Sequence, residues 1–358
     1  MTTMRVTVVA VVVLLAVTAL HAGAVDIDKV RQLLKKNNVT GIYVFGDSSV
    51  DPGNNNGLVT DQKANFLPYG KDFYTGPTGR FTNGRVATDF LAEALGFTKG
   101  VRAYLDPKFD KLDLLHGVSF ASGGSGYDDV TANITNAISF PHQLQYFKRY
   151  KIKLAKLVGG GEAEKIVSNA LYVVSMGTND FLENYYIEPI RSQQYTVEAY
   201  TDYLVSCMYR YLKDMLYLGA RKIVLVGLQP FGCIPLVKTL RDTDKCDETY
   251  NKVAFTFNSK IKEKFATLKA PGLQSAYVDI YSVTESAIRY PHKYGFTETS
   301  KGCCGTGTTE YGPTCKGLST CPDRTKYVFW DAVHPTEEMH KIIANEAVKT
   351  FSVQGFFE

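Results

Sequence analysis

The sequence predicts an α/β protein, a three-layer α/β/α sandwich around a mainly parallel sheet of about five strands. Two observations support this prediction. Short apolar runs alternate with longer helical patterns along the chain, and the runs are too uniformly apolar to have one face in water. Such alternation is typical of βαβ units, and strands buried on both faces belong to parallel sheets covered by helices on both sides. Right-handed crossovers then give the three layers.

The first 24 residues are expected to lie outside the fold. Arg5 gives a basic start, an apolar stretch covers residues 6–20, and Ala-Gly-Ala at 22–24 offers a cleavage site. This is the pattern of a secretory signal peptide, and it is too short for a membrane span. Residues 25–358 are therefore predicted to form a single exported domain with no integral membrane segment, because no linker or repeat divides them.

The predicted elements follow one another through this domain. The strands are placed at Ile42–Phe45, Val118–Ala121, Leu171–Ser175, Ile223–Leu228 and Ala276–Asp279. The helices are placed at Arg85–Leu95, Phe140–Leu157, Val197–Leu218, Asp247–Leu268, Ser282–Ile288 and Thr336–Phe351. Ser282 and Glu285 have the spacing of a capping box. Pro335 stands where the first residue of the last helix belongs.

Charge and cysteine content narrow the possible functions. The chain carries 40 basic and 36 acidic residues, and so small an excess argues against nucleic-acid binding. Its seven cysteines include no C-x-x-C pair, which in an exported chain favours disulfides over zinc. Cys233 and Cys246 flank one loop and are predicted to pair, whereas Cys207 is expected to be a buried thiol. The pairing of the other four stays open: Cys303, Cys304, Cys315 and Cys321.

Two N-glycosylation sequons agree with export. They begin at Asn38 and Asn133, and this modification is added in the secretory route. The sequence gives no indication of the oligomeric state.

Small and polar residues follow three of the predicted strands and precede the last helix. The segments are Gly46-Asp47-Ser48, Ser122-Gly123-Gly124-Ser125-Gly126, Met176–Phe181 and Phe329–Pro335. Turn chemistry alone would accept such residues. In open α/β sheets, however, the ligand site lies beyond the carboxyl ends of the strands. Together the segments supply the groups that an acyl-transfer site needs.

Ser48 is the candidate nucleophile, and a serine hydroxyl needs a base. His334, in the polar segment before the last helix, has a carboxylate three residues before it, and Asp331 can lie beside it on one turn. The backbone N–H groups of Ser48 and Gly124 and the side-chain amide of Asn179 are candidate oxyanion donors. Read singly, each pattern also fits a structural role: a helix-capping histidine, a tight glycine turn or an asparagine-stabilised turn.

Two competing enzyme classes lack their motifs. No serine lies in G-x-S-x-G, the nucleophile elbow of α/β-hydrolases. No strand is followed by G-x-x-x-x-G-K-S/T or G-x-G-x-x-G, which argues against nucleotide binding. Phe181, Tyr185 and Tyr186 are candidates for an acyl pocket, but ordinary core packing is the favoured interpretation.

Four motifs in this order resemble those of the GDSL esterase/lipase family of the SGNH hydrolase superfamily, in its plant secreted branch. "VFGDSSVDPGNNN" resembles the first block, "GVSFASGGSG" the second, "SMGTND" the third and "FWDAVHPTE" the last. The resemblance covers nearly the whole predicted mature chain. Two positions depart from the family pattern: Ser49 stands where the four-letter name has Leu, and Ser119 where the family often has Asn.

The resemblance implies a role for each candidate residue. Ser48 is the nucleophile, and Asp331 and His334 complete the triad. Gly124 and Asn179 donate to the oxyanion with the N–H of Ser48, and Gly123 is the neighbouring candidate for the glycine role. No metal and no organic cofactor is implied.

The resulting prediction is a secreted serine esterase/lipase that hydrolyses acyl esters through an acyl-enzyme. Its substrate is expected to be a lipid or a wall-associated ester in the extracellular space or cell wall. One alternative keeps the site but makes the protein an acyltransferase or a polysaccharide acetylesterase. A second alternative, from another class, is a non-catalytic protein that binds the wall or lipid.

Overall fold

A parallel sheet lies at the centre of the protein, whose structure is a computed structural model that describes residues 27–96 and 100–356. The predicted signal peptide lies outside these residues. The strands, in their order across the sheet, are β1 (Ile42–Gly46), β2 (Leu171–Ser175), β3 (Lys222–Val226) and β4 (Gln274–Val278). Their β-branched and aromatic side chains suit a pleated, buried surface.

The strand predicted at Val118–Ala121 is not a regular strand, and this prediction is corrected. Within it only Ser119 forms bridges, one of them to Val44 of β1. Side-chain hydrogen bonds compete with strand pairing in this segment. The Ser119 hydroxyl donates to the carbonyl oxygen of Val50, and it accepts the backbone N–H of Ala121. The segment still lies parallel to β1, so the sheet has four regular strands with this segment at one edge.

A second, two-stranded parallel sheet was not predicted from the sequence. It pairs β5 (Glu298–Gly302) with β6 (Tyr327–Phe329). The residues of β5 are Glu-Thr-Ser-Lys-Gly, so the strand carries no apolar alternation that would predict it.

The six predicted helices are present within a few residues of their predicted positions, and the described residues form six further helices that were not predicted. In chain order, the helices of both groups are α1 (Ile27–Lys36), α2 (Ala87–Leu95), α3 (Lys111–His116), α4 (Asp129–Ile134), α5 (Phe140–Val158), α6 (Gly160–Asn169), α7 (Thr178–Phe181), α8 (Val197–Tyr217), α9 (Pro235–Leu240), α10 (Glu248–Ala266), α11 (Ile280–Arg289) and α12 (Glu337–Val353).

Two predicted helix starts are wrong. The first residue of α12 is Glu337, because the hydroxyl of Thr336 caps the helix, and Pro335 therefore precedes the cap. The start of α11 is not set by a capping box at Ser282. The carboxylate of Asp279, directly after β4, accepts the N–H of Ser282 at 3.0 Å and begins the helix two residues earlier.

Helices cover both faces of the sheet. On β1, Tyr43 and Phe45 point into a layer formed with α5, α6, α8 and α10, whereas Ile42 and Val44 point into a layer formed with α1, α2 and α12. The prediction of a three-layer α/β/α sandwich with a mainly parallel sheet is confirmed.

Three disulfides stabilise two loops at the carboxyl side of the sheet. Cys233–Cys246 is the predicted local bridge, and Cys207 is a buried free thiol as predicted. The pairing that the sequence left open is Cys303–Cys321 with Cys304–Cys315. These two nested bridges close the segment between β5 and β6, which packs beside Trp330 and the motif before α12.

Paired substitutions test the nested arrangement, since a matched pair removes one bridge and a mismatched pair breaks two. We expect Cys304→Ser with Cys315→Ser to leave one titratable thiol in denaturant, the same number as in the wild type. Cys304→Ser with Cys321→Ser should leave three. Thiol titration of the denatured, unreduced proteins measures both, and the reverse pattern would contradict the pairing.

Candidate active site

The turn after β1 brings Ser48 to the carboxyl edge of the sheet. Gly46 has φ +153°, and a Cβ at this position would lie 2.1 Å from the carbonyl oxygen of Ser175 on β2. Only glycine permits so close an approach. The next residue, Asp47, donates its N–H to the same carbonyl oxygen at 3.1 Å, and its own carboxylate accepts the N–H of Ser49. Burial raises the pKa of Asp47. Ser48 is left half-buried at the tip of this turn.

Ser48, His334 and Asp331 form a continuous hydrogen-bonded series. The Oγ of Ser48 lies 2.9 Å from Nε2 of His334. On the other side of the ring, Nδ1 of His334 lies 2.8 Å from Oδ2 and 3.0 Å from Oδ1 of Asp331. These distances fit a carboxylate that fixes the imidazole so that its second nitrogen faces the hydroxyl. The motif after β1 and the motif before α12, 286 positions apart, are thus brought together as the sequence predicts.

The carboxylate of Asp331 is fully buried and accepts four hydrogen bonds. Two come from the backbone N–H groups of Val333 (2.8 Å) and His334 (2.7 Å), and a third comes from the imidazole. The fourth donor is the hydroxyl of Tyr69, at 2.7 Å from Oδ2. A buried charge needs such donors because it has lost its water.

Tyr69 is the residue of this site that sequence reasoning missed. It lies 262 positions from Asp331, outside all four motifs, so no local pattern indicates it. Its oxygen accepts the N–H of Gly312 at 2.7 Å, which leaves the hydroxyl hydrogen directed at Asp331. The ring is fully buried and packs edge-on against Trp330 and Phe81. Tyr69 therefore links the disulfide-closed segment to the carboxylate.

The backbone N–H groups of Ser48 and Gly124 are available for a ligand. Within residues 27–96 and 100–356, no group accepts a hydrogen bond from the N–H of Ser48 or of Gly124. The N–H of Gly123, by contrast, donates to Oδ2 of Asp51 at 3.0 Å. Of the two candidate glycines, Gly124 is thus the one with a free donor. Its φ of +81° also favours glycine.

Asn179 is held by the second motif rather than by its own turn. Its Nδ2 donates to the carbonyl oxygen of Ser125 at 2.9 Å, across 54 positions of chain. An amide nitrogen carries two hydrogens, so one bond to Ser125 fixes its orientation and leaves the other hydrogen for a ligand. Asn179 and Ser48 line the same cavity at the edge of the sheet.

The asparagines that follow Ser48 in sequence hold the edge segment in place. Nδ2 of Asn54 donates to the carbonyl oxygens of Ser119 (2.9 Å) and Ala121 (2.7 Å), and Nδ2 of Asn55 donates to that of Gly123 (2.9 Å). Buried carbonyl groups need hydrogen-bond donors, and these side-chain amides supply donors that a neighbouring strand would otherwise provide. The motif therefore has a structural role besides carrying Ser48.

Two buried aspartates connect the first three motifs. Asp51 accepts the N–H of Gly123, and Asp180 accepts those of Tyr127 (2.8 Å) and Asp128 (3.0 Å). Burial raises the pKa of Asp51 to about 6 and that of Asp180 to about 7. Both carboxylates thus fix the second motif, which carries Gly124, against its neighbours.

The remaining candidates have simpler environments. Asn38 and Asn133 are both exposed, which suits glycosylation sequons, and their modification stays a prediction. Phe181 is fully buried and stacks on Phe231 in the core, in line with the favoured interpretation.

Comparison with known proteins identifies the family. The family model of the GDSL-like lipases/acylhydrolases matches residues 42–347. A GDSL esterase/lipase of Arabidopsis thaliana is 50% identical over 350 residues, which cover 96% of this chain and 98% of that protein. The GDSL esterase/lipase APG of the same plant is 43% identical over 326 residues, 88% of this chain and 92% of its own.

The chain therefore belongs to the GDSL-like lipase/acylhydrolase family, and the prediction of a carboxylic ester hydrolase is confirmed. Among solved structures, Axe2, an acetylxylan esterase from Geobacillus stearothermophilus, is similar with a TM-score of 0.38 and 13% identity, over 87% of this chain and 93% of that one. In the described part of the chain, none of the helices combines the length and apolarity needed to cross a membrane.

Proposed function

We propose that the protein is a secreted serine esterase/lipase that hydrolyses acyl esters through a covalent intermediate on Ser48. The observation that carries this proposal is the hydrogen-bonded series from Ser48 through His334 to Asp331, at 2.9 and 2.8 Å. A nucleophile within reach of a base, with the base oriented by a third group, is the arrangement that acyl transfer requires.

The first half of the reaction forms the acyl-enzyme. Oγ of Ser48 attacks the ester carbonyl carbon while Nε2 of His334 takes the hydroxyl proton. The carboxylate of Asp331 stabilises the imidazolium that results. The tetrahedral intermediate then collapses, its C–O bond to the alcohol breaks, and His334 returns the proton to the leaving alcohol.

The oxyanion is stabilised by three donors. The N–H groups of Ser48 and Gly124 come from two loops, and Nδ2 of Asn179 supplies the third. Their directions are fixed before the substrate arrives, so they need no reorganisation as charge develops.

Water completes the reaction by attacking the acyl-enzyme. His334 now takes a proton from water, and the collapse of the second intermediate releases the acid and restores Ser48. An acyltransferase would differ only in having another alcohol attack at this step.

Export of residues 25–358 as one domain is part of this proposal. It is supported by the signal-like sequence before residue 25, by the exposed side chains of Asn38 and Asn133, and by the three disulfides. Disulfides persist in oxidising compartments, such as the extracellular space and cell wall.

Replacing Ser48 by Ala should abolish turnover because the nucleophile is lost. We expect kcat for a short-chain nitrophenyl ester to fall by roughly 10⁴–10⁶, with an unchanged melting temperature. Ser49→Ala is the matched control, since its hydroxyl bonds Ser175 rather than His334, and it should retain most of the activity. A fluorophosphonate probe should label Ser48 in the wild type. Comparable turnover by Ser48→Ala would refute the proposal.

Replacing Asn179 by Ala tests the oxyanion role separately from folding. The bond to the oxyanion strengthens as charge develops, so the loss should appear in kcat, by about 10²–10³, with little change in KM. Asn184→Ala is the control, because that buried amide bonds Asp128 and Tyr200 and should affect melting temperature rather than kcat. A lower melting temperature with unchanged kcat in Asn179→Ala would make Asn179 a purely structural residue.

A further inference from the structure

An apolar cavity of about 90 Å³ extends from Ser48 and His334 into the interior of the protein. It lies in the layer between the sheet and the helices α2 and α12. Protein interiors are close-packed, and voids larger than a water molecule are few. A cavity that opens at the proposed nucleophile is therefore a candidate binding site for part of the substrate.

The sheet side of the cavity is formed by valines in two successive rows. Val226 and Val278 are paired neighbours at the carboxyl ends of β3 and β4. Val173 and Val224 are paired neighbours two residues further back, about 7 Å deeper along the strands. This wall offers hydrocarbon surface from the edge of the sheet inwards.

The helix side is formed by α2 and by one stripe of α12. His340, Ile343, Ala344 and Ala347 line the cavity, and their spacing of i, i+3, i+4 and i+7 places them on one face. From the first to the last, the stripe spans about 10 Å along the helix axis. Burial lowers the pKa of His340 to about 3, so its imidazole is neutral and the stripe carries no charge.

The small side chains of Ala344 and Ala347 leave the space open. Both are buried and face the valines across the layer. Because α12 begins beside His334, Ala347 lies about 4.5 Å further from the reacting atoms than Ala344. A larger side chain at Ala344 would therefore close the cavity nearer to the reacting atoms than one at Ala347.

We propose that this cavity receives the acyl chain of the ester, and that Ala344 and Ala347 set the longest chain accepted. A bond of an extended chain advances about 1.25 Å, so a depth of about 10 Å accommodates an unbranched chain of about eight carbons. The substrate class is therefore esters of medium-chain fatty acids. The inference rests on the proposed function, because it takes Ser48 as the atom that holds the acyl group.

A series of nitrophenyl esters from acetate to palmitate tests the proposal with the full mature chain. We expect kcat/KM of the wild type to rise by about fourfold per methylene up to about eight carbons and then to fall. Ala344→Leu should lower kcat/KM for octanoate at least tenfold and leave that for acetate within about twofold. The longest chain that Ala347→Leu still hydrolyses efficiently should exceed that of Ala344→Leu by three or four carbons.

Two further variants separate occupancy from stability. Ala92→Leu makes the same change at a buried position of the same layer that does not line the cavity, so the chain-length profile should keep its maximum. Ile343→Ala enlarges the cavity and should move the maximum to longer chains, which keeps the test decisive if the leucine variants do not fold.

The outcomes also separate the two proposals. Unchanged chain-length profiles in Ala344→Leu and Ile343→Ala, with acetate still hydrolysed, would overturn the assignment of the cavity and leave the proposed function standing. A wild type that hydrolyses none of the esters and does not react with a fluorophosphonate probe would overturn the proposed function itself.

Discussion

The buried carboxylate of Asp331 is the group on which the geometry of the site depends. Its charge is removed from water, and it is stabilised by donors from its own loop, from His334 and from Tyr69. Tyr69 is in turn fixed by Gly312, within the segment closed by the two nested disulfides. Through Tyr69, the disulfide-closed segment is thereby connected to the carboxylate that contacts the imidazole.

The carboxyl edge of the sheet alone would not align the other donors. Parallel strands deliver Ser48 and Asn179 to neighbouring positions, but the segment that carries Gly124 has no regular strand. Asn54, Asp51 and Asp180 hold that segment through side-chain bonds to its backbone. The polar residues around Ser48 therefore act as cross-links between loops. A non-catalytic binding protein would have no need for the hydrogen-bonded series of Ser48, His334 and Asp331.

The sequence was sufficient where the determining interactions are local. Apolar runs located the four strands of the central sheet and helical patterns located the longest helices, and the three-residue spacing of Asp331 and His334 indicated their contact. It was insufficient where distant segments decide the structure. The Ser119 hydroxyl bonds the carbonyl oxygen of Val50, 69 positions away, and this contact forms only in the fold. Tyr69 and the disulfide pairing depend on contacts that no short pattern records.

The kinetic effect of Tyr69→Phe tests most directly whether the carboxylate network orients the base. This change keeps the buried ring and removes the hydroxyl, with its bonds to Asp331 and to the N–H of Gly312. A hydrogen bond to a charged group contributes enough for a fall in kcat of about tenfold or more, with KM little changed. Tyr172→Phe also removes one buried hydroxyl bond, to Val167, remote from Ser48, and should leave kcat intact. Equal kcat values for the two variants and the wild type would contradict the account.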